Sequence, residues 1–268
     1  MSPTRARFAA VVRTEPVDLA LACLLVGGEV EPELDVDASL AVLAALAATA
    51  RVPPESPPAV AAEGLRRALG EQAGFVGGSY DDVRCSLLHE VLRRGRGLPL
   101  LLSVVWIEVA ARLGIPAYAV GLPGHVVVGI GEPQDEHVLV DPFSGGRLLS
   151  VGRLAELTRT SLRPAQLAPM RTEELLLRLL TNVRALSTRQ PPSLSAVTTR
   201  LWAVELSLLL PRHPVELRRE RGELLVRLGD HLGGAAELET YALVVDDADE
   251  PAADTARREA RQARAQLN

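Results

Sequence analysis

The chain has 268 residues, 47% of them hydrophobic and 24% charged, with a formal net charge of −5. That length is enough for one large core or two small ones, and the mild acidity argues against a nucleic-acid binder, which needs a basic face. With aromatics at 3% and no lysine at all, the core falls to Leu, Val and Ala, and every base to Arg. The two cysteines, Cys23 and Cys85, form neither a metal motif nor a disulfide framework, so a reducing, cytoplasmic setting is expected. Between Arg7 and Arg13 lies only "FAAVV", too short for the apolar region of a secretory leader. The run "LALACLLVGG" is about half of the roughly 20 residues that span a bilayer, so no membrane association is expected.

Residues 1 to about 70 read as helices. "EPVDLALACLLVGG" places Pro16 early in a helix and ends it on glycines. "DASLAVLAALAATARVPP" starts at Asp37 as N-cap and stops at Pro53-Pro54, and "PAVAAEGLRRALG" makes a third helix. "FVGGSYDD" reads as a turn, and "DDVRCSLLHEVLRRGRG" as a helix with acids first and arginines last, the polarity the helix dipole favours. In "LPLLLSVVWIEVAARLG" the residues from Leu100 to Ile107 are apolar on nearly every face, which predicts a buried helix. Glu108 and Arg112 then supply an i,i+4 pair on its solvent side.

The period then changes. "AYAVGL", "HVVVGI" and "HVLVDPF" are short, Val-rich and separated by turn residues, which predicts a small antiparallel sheet that the chain leaves at "SGGRLLS". From about residue 153 helices return, in "TEELLLRLLTNVRAL", "LSAVTTRLWAVELSLLLP", "PVELRRERGELLVRLGD", "GGAAELETYALVVDD" and "PAADTARREARQARAQL", with Pro211 and Pro251 each closing a helical pair. The stretch from "ELSLLLP" to "DDADEP" has the outline of a degenerate tetratricopeptide unit. An α+β core over residues 1–168 and a helical region over 169–268 are expected.

Within that sheet, His125 follows a Gly-Leu-Pro-Gly turn and Asp141 ends the next strand, just before Pro142. A His and an Asp on neighbouring strands are two members of a catalytic triad. The order of buried helix, His strand and Asp strand resembles the transglutaminase-like relatives of papain. "YDDVRCSLLHEVLRRGRGLPLLLS", "GLPGHVVV", "VDPFSGGRLL" and "RRERGELLVRLG" together resemble the SirB-type transglutaminase-like family of bacteria. That resemblance implies an α+β, papain-like core followed by an all-α tetratricopeptide-like region. The wider superfamily's cysteine nucleophile would fall at or beside Pro99, where this chain reads Gly97-Leu98-Pro99-Leu100 with no thiol or hydroxyl before Ser103, and the closer resemblance implies the same loss. His125 and Asp141 alone carry over.

Two readings of the pair stay open: a dyad lining a pocket, or a structural hydrogen bond left by an enzyme ancestor. Cys85 is the one thiol near the core segment; a helix start would favour its thiolate, while Asp81 and Asp82 oppose it. Ser103, inside a helix, is expected to bond its own i−4 carbonyl. His125, His137, Asp135 and Asp141 match no metal-ligand spacing, His89, His213 and His231 read as surface or cap residues, and the Arg93-Arg94-Arg96 and Arg218-Arg219-Arg221 clusters as solvated faces. The expectation is a non-catalytic module that binds a protein or peptide, without cofactor, metal, nucleic acid or membrane. The alternative is a hydrolase or acyl transferase using Cys85 or an activated water.

Overall fold

A computed structural model describes residues 2–158, 164–189, 191 and 193–266. Four helices come first: α1 (Pro3–Val11), α2 (Leu19–Gly27), α3 (Val36–Ala50) and α4 (Pro58–Leu65). Asp18 caps α2 by accepting the Leu21 N–H at 2.9 Å, so Pro16 precedes the helix rather than opening it. Asp35, not Asp37, caps α3, and Asp37 sits in its first turn, where an acid also suits the dipole. The predicted third helix divides: α4 runs on into a π-helical segment, Arg66–Gln72.

The expected turn at 75–82 contains β1 (Val76–Gly77), which pairs in parallel with β2 (Arg96–Gly97). Between them lie a 3-10 turn, Val83–Ser86, and α5 (Leu88–Arg94), two elements where one helix is expected. Next is α6 (Pro99–Arg112), whose residues from Leu100 to Trp106 are all buried. Trp106 is met edge-on by Phe75 at 6.4 Å between ring centres. Ser103 donates to the Pro99 carbonyl at 2.8 Å, as its place in the helix predicts.

The sheet has four antiparallel strands in the order β3 (Ala117–Leu122), β4 (His125–Gly131), β5 (His137–Asp141) and β6 (Arg147–Leu149). The "SGGRLLS" segment therefore does not leave the sheet: Gly145 and Gly146 take positive φ, turn the chain, and return Arg147 opposite Asp141. On β4, Val126, Val128 and Ile130 face the main core with α6, while Val127 joins Val120, Leu122 and Leu139 on the other face. A strand buried on both faces reads as an apolar run, which is why "HVVVGI" lacks strict alternation.

After α7 (Val151–Thr158) and a 3-10 turn at Pro164–Leu167 come α8 (Thr172–Arg189), α9 (Leu194–Leu209), α10 (Glu216–Arg227), α11 (His231–Val245) and α12 (Glu250–Ala265). Leu175, Leu176, Leu179, Leu180 and Val183 of α8, with Trp202, Ala203 and Leu206 of α9, belong to the same core as α6. Arg5 of α1 ties the far ends of the chain together by pairing with both Glu29 and Glu205.

Farther out, α10 and α11 approach at Gly222 and Gly234, where a Cβ on either would meet the other's carbonyl. Ala253, Ala256, Ala260 and Ala263 form the buried stripe of α12. Pro251 does not close a helical pair: it lies in the first turn of α12, where its missing N–H costs nothing. Arg218, Arg219 and Arg221 are not a solvated face either. They pair with Glu237, with Glu223 and Glu259, and with Glu205 and Glu237, tying α10 to its neighbours. Among the described residues, no helix is long and apolar enough to cross a membrane.

Candidate functional site

The site is built where the β3–β4 turn meets the start of α6. Pro123 and Gly124, the latter at φ 70°, supply the residue pair that a type II turn requires, and the turn sets His125 at the head of β4. Asp141 ends β5 and caps the 3-10 turn that follows. His125 Nε2 lies 2.9 Å from Asp141 Oδ1, and both residues are buried. The Phe143 N–H also donates to Oδ1 at 3.0 Å, and Ser144 Oγ donates to Oδ2 at 2.6 Å.

Burial pushes the Asp141 carboxyl up, but the bonds from His125 and Ser144, with the Phe143 amide, outweigh it and hold the group below the ordinary aspartate value. An ionised carboxylate only accepts, so His125 Nε2 carries the proton between them. His125 Nδ1 has no partner among the described residues and is not sealed from solvent. In the neutral ring that nitrogen is the basic one.

Phe143 holds the imidazole in place. Its ring stands edge-on to His125 at 5.8 Å and leans on Tyr80 at 5.8 Å. It fits because Gly77 has no side chain: a Cβ there would stand 2.5 Å from the ring. The two-residue strand β1 thus braces the dyad from behind.

In front of the dyad is a cleft of about 210 Å³, whose lining includes Leu98, Pro99, Leu100, Gly124, His125 and Val126. The start of α6 therefore shares a cavity with the imidazole, and the residue standing there is Pro99. Leu98 offers no side-chain cap to the helix, and its N–H donates to the Cys85 carbonyl at 2.9 Å. Cys85 itself is 2% exposed, packs with Leu98 and Leu186, and is not among the residues lining the cleft. Burial, and then the charge of Asp82, push its thiol up. The expected helix start does not help it, because Cys85 lies in the 3-10 turn before α5.

Six further residues line the cleft that sequence reading missed: the apolar Ala185 and Leu186, and the polar Tyr80, Arg178, Asn182 and Arg189. The last three share a stripe of α8, one helical turn and then two turns apart, beside its leucine stripe. That periodicity is legible in "RLLTNVRALSTR"; what it faces is not. Arg178 Nη2 donates to the carbonyls of Leu122 and His125 at 2.8 and 2.9 Å and so holds the turn that carries the histidine.

His137 heads β5, at the opposite end of that strand from Asp141, and bonds the Asp135 carbonyl at 3.0 Å. His89 is not a surface residue: it is 6% exposed and stands 3.4 Å from Glu31. Glu31, His89 and Glu90 bring ligand-type atoms within 4.8 Å of one another, yet Glu90 already pairs with Arg93, and a Cβ on Gly27 would meet His89 Nδ1.

The comparisons with known proteins agree with this architecture. Residues 196–268 match a tetratricopeptide repeat. A UPF0162 protein of Xylella fastidiosa is 36% identical over 197 residues, covering 66% of this chain and 65% of the relative. A UPF0162 protein of Pseudomonas aeruginosa is 36% identical over 154 residues, covering 54% and 55%. The chain thus spans less than two thirds of the length of these relatives. F-box only protein 21 of Mus musculus is 26% identical over 180 residues, covering 64% of this chain and 28% of that protein. A crystal structure of menin aligns over 91% of this chain and 70% of its own at 13% identity, but its TM-score of 0.44 is too low to argue from. Residues 35–181, more than half of the chain, match the transglutaminase-like superfamily, and the chain belongs to it.

Proposed function

We propose that this is a SirB-type member of the superfamily, a bacterial cytoplasmic protein in which the triad survives only as His125 and Asp141 and the cleft binds rather than cuts. The observation that carries the reading is Pro99 at the start of α6, in the cleft that His125 lines. Proline has no group that could attack a carbonyl, and the adjacent positions are leucines. The nearby thiol, Cys85, lies behind Leu98 and Leu186 with its ionisation opposed by burial. A core over residues 1–168 would then present the cleft together with α8, and the rest of the helical region over 169–268, with its tetratricopeptide repeat, would present the surface for a protein partner.

One observation favours a second reading. His125 Nδ1 is unpartnered among the described residues and open to solvent, so it retains the means to activate a water. A single assay separates the two. The full chain is incubated with peptide, ester and glutamine-plus-amine substrates, with and without iodoacetamide, beside the C85S and H125A variants. No turnover above that of H125A is expected. Turnover lost on alkylation or in C85S would make Cys85 a nucleophile, and turnover lost only in H125A would restore the water mechanism.

A further inference from the structure

The polar stripe of α8 has a feature that a turn-holding role leaves unexplained. Arginines in this chain are heavily paired with acids: Arg184 of the same helix pairs with Glu220, and Arg171 just before it pairs with Glu173. The two that line the cleft are not, as is also true of nine other described arginines. Among the described residues, neither Arg178 nor Arg189 has a carboxylate within 4.0 Å, and the Asn182 amide has no hydrogen bond. Arg178 is only partly exposed, and burial lowers the pKa of its guanidinium, so its charge is held at a cost. Its Nη2 is used by the β3–β4 turn, which leaves Nε and Nη1 free. The rest of the lining is largely apolar, with Leu98 and Leu100 from the start of α6 and Leu186 from α8 itself. The cavity therefore joins a cluster of donors without carboxylate partners to an aliphatic lining, in a volume of about 210 Å³ that suits a single residue better than a strand of peptide.

We propose that this cleft receives the free carboxylate at the end of a peptide chain, with Arg178, Asn182 and Arg189 as donors and Leu98, Leu100 and Leu186 around the last, aliphatic side chain. Guanidinium groups pair with carboxylates and phosphates alike. The charge behind the pocket distinguishes them: Asp141 is held ionised against His125, so a monoanion is favoured over a dianionic phosphate. The open Nδ1 of His125 adds a polar group on the same side. The proposal rests on the binding reading of the site and gives it a ligand class.

The test uses the full chain and fluorescent hexapeptide pools ending in Leu, Val or Ala, as free acids and as C-terminal amides, read by anisotropy. The acids should bind at least about tenfold more tightly, the effect of one charge-assisted hydrogen bond. R189Q removes an exposed, unpaired side chain and so leaves the fold alone; with N182A it should erase most of that preference and leave the amides unchanged. R178Q should do the same, with circular dichroism checking that the turn survives. Equal binding of acids and amides, no saturable binding of either, or a preference that persists in both R189Q and N182A would overturn the proposal. So would an amidated pool with an internal Glu binding as tightly as the acids, since the anion would then not be a chain end. Recovered peptides are checked by mass. Intact peptides with an acid preference support both readings. Shortened or amidated products with that preference would end the non-catalytic reading and leave the carboxylate site. Intact peptides with no preference would end the carboxylate site alone.

Discussion

Asp141 is the most constrained side chain of the site. Three donors converge on its two oxygens, and its folded pKa is depressed. A depressed carboxylate contributes stability that is complete above its unfolded value of about 3.9 and is lost as the pH falls through the folded value. D141N should therefore cost about 1–3 kcal/mol near neutrality, the range for disturbing a buried hydrogen-bonded group, and the gap from wild type should close in acid. Thermal melting of both proteins from about pH 7 down to about pH 2 measures it, and a gap that stays constant throughout would contradict this account. The two thiols make a second case. Cys23 and Cys85 are 1% and 2% exposed, and burial raises both pKa values. Neither should react with Ellman's reagent in the native protein at about pH 8, where an ordinary free thiol would, and both should react in guanidinium. Fast labelling of Cys85 in the native state would reopen its claim as a nucleophile.

At the scale of elements, the carboxylate depends on a backbone contact made far from it in sequence. Gly70, in the π-helical segment, lies so close to the Gly145 carbonyl that a Cβ there would collide with it, and Gly146 sits tightly against Arg66. The loop that follows Asp141 is thus seated on the π-helical turn. Gly145 itself has φ 70°, and a Cβ on it would point into open space. The two glycines therefore separate packing from conformation. G145A should cost about 1–2 kcal/mol, the penalty of a left-handed residue. G70A should cost more, about 1–3 kcal/mol of overpacking with the added shift of the Asp141 loop, and should alone loosen the His125–Asp141 bond. Urea midpoints rank the stabilities, and the His125 ring signals in NMR report the bond. Equal effects would mean that the π-helical turn does not hold the loop.

For the molecule as a whole, α8 and α9 decide the architecture. Five apolar residues of α8 and three of α9 lie in the core that α6 occupies. Burying each of these other than Ala203 contributes about 1.5–3 kcal/mol, so together they equal or exceed the whole net stability of an ordinary domain, roughly 5–15 kcal/mol. A fragment of residues 1–168 should consequently be insoluble, or soluble with an exposed core that binds a hydrophobic dye. A monomeric fragment that melts like the full chain would mean that the core is complete without them. The same docking makes the cleft a joint product, since α8 supplies one wall and α6 with β4 the other.

The helices with strong periodicity, the buried character of α6, the strands β3 to β5 and the candidate pair His125 and Asp141 are all legible in the sequence. Their signals are local: apolar period, turn residues and caps act over a few positions. That a proline, with no nucleophilic side chain, stands at residue 99 is legible too, because it is a matter of residue identity alone. What tertiary structure decided is what depends on contacts between distant segments. β1 and β2 are two residues each, too short for a periodic signal, and exist because the segments before α5 and before α6 are brought side by side. His89 reads as a surface residue because it stands among polar neighbours such as Glu90 and Arg93, and it is buried because Gly27 of α2 leaves it room. The arginines of α10 read as solvated until α9, α11 and α12 place glutamates beside them. Arg178, Asn182 and Arg189 show as a stripe in the sequence, but only the packing of α8 against the start of α6 turns that stripe into the wall of a cleft, because a helix's period says which residues share a face and nothing about what that face meets.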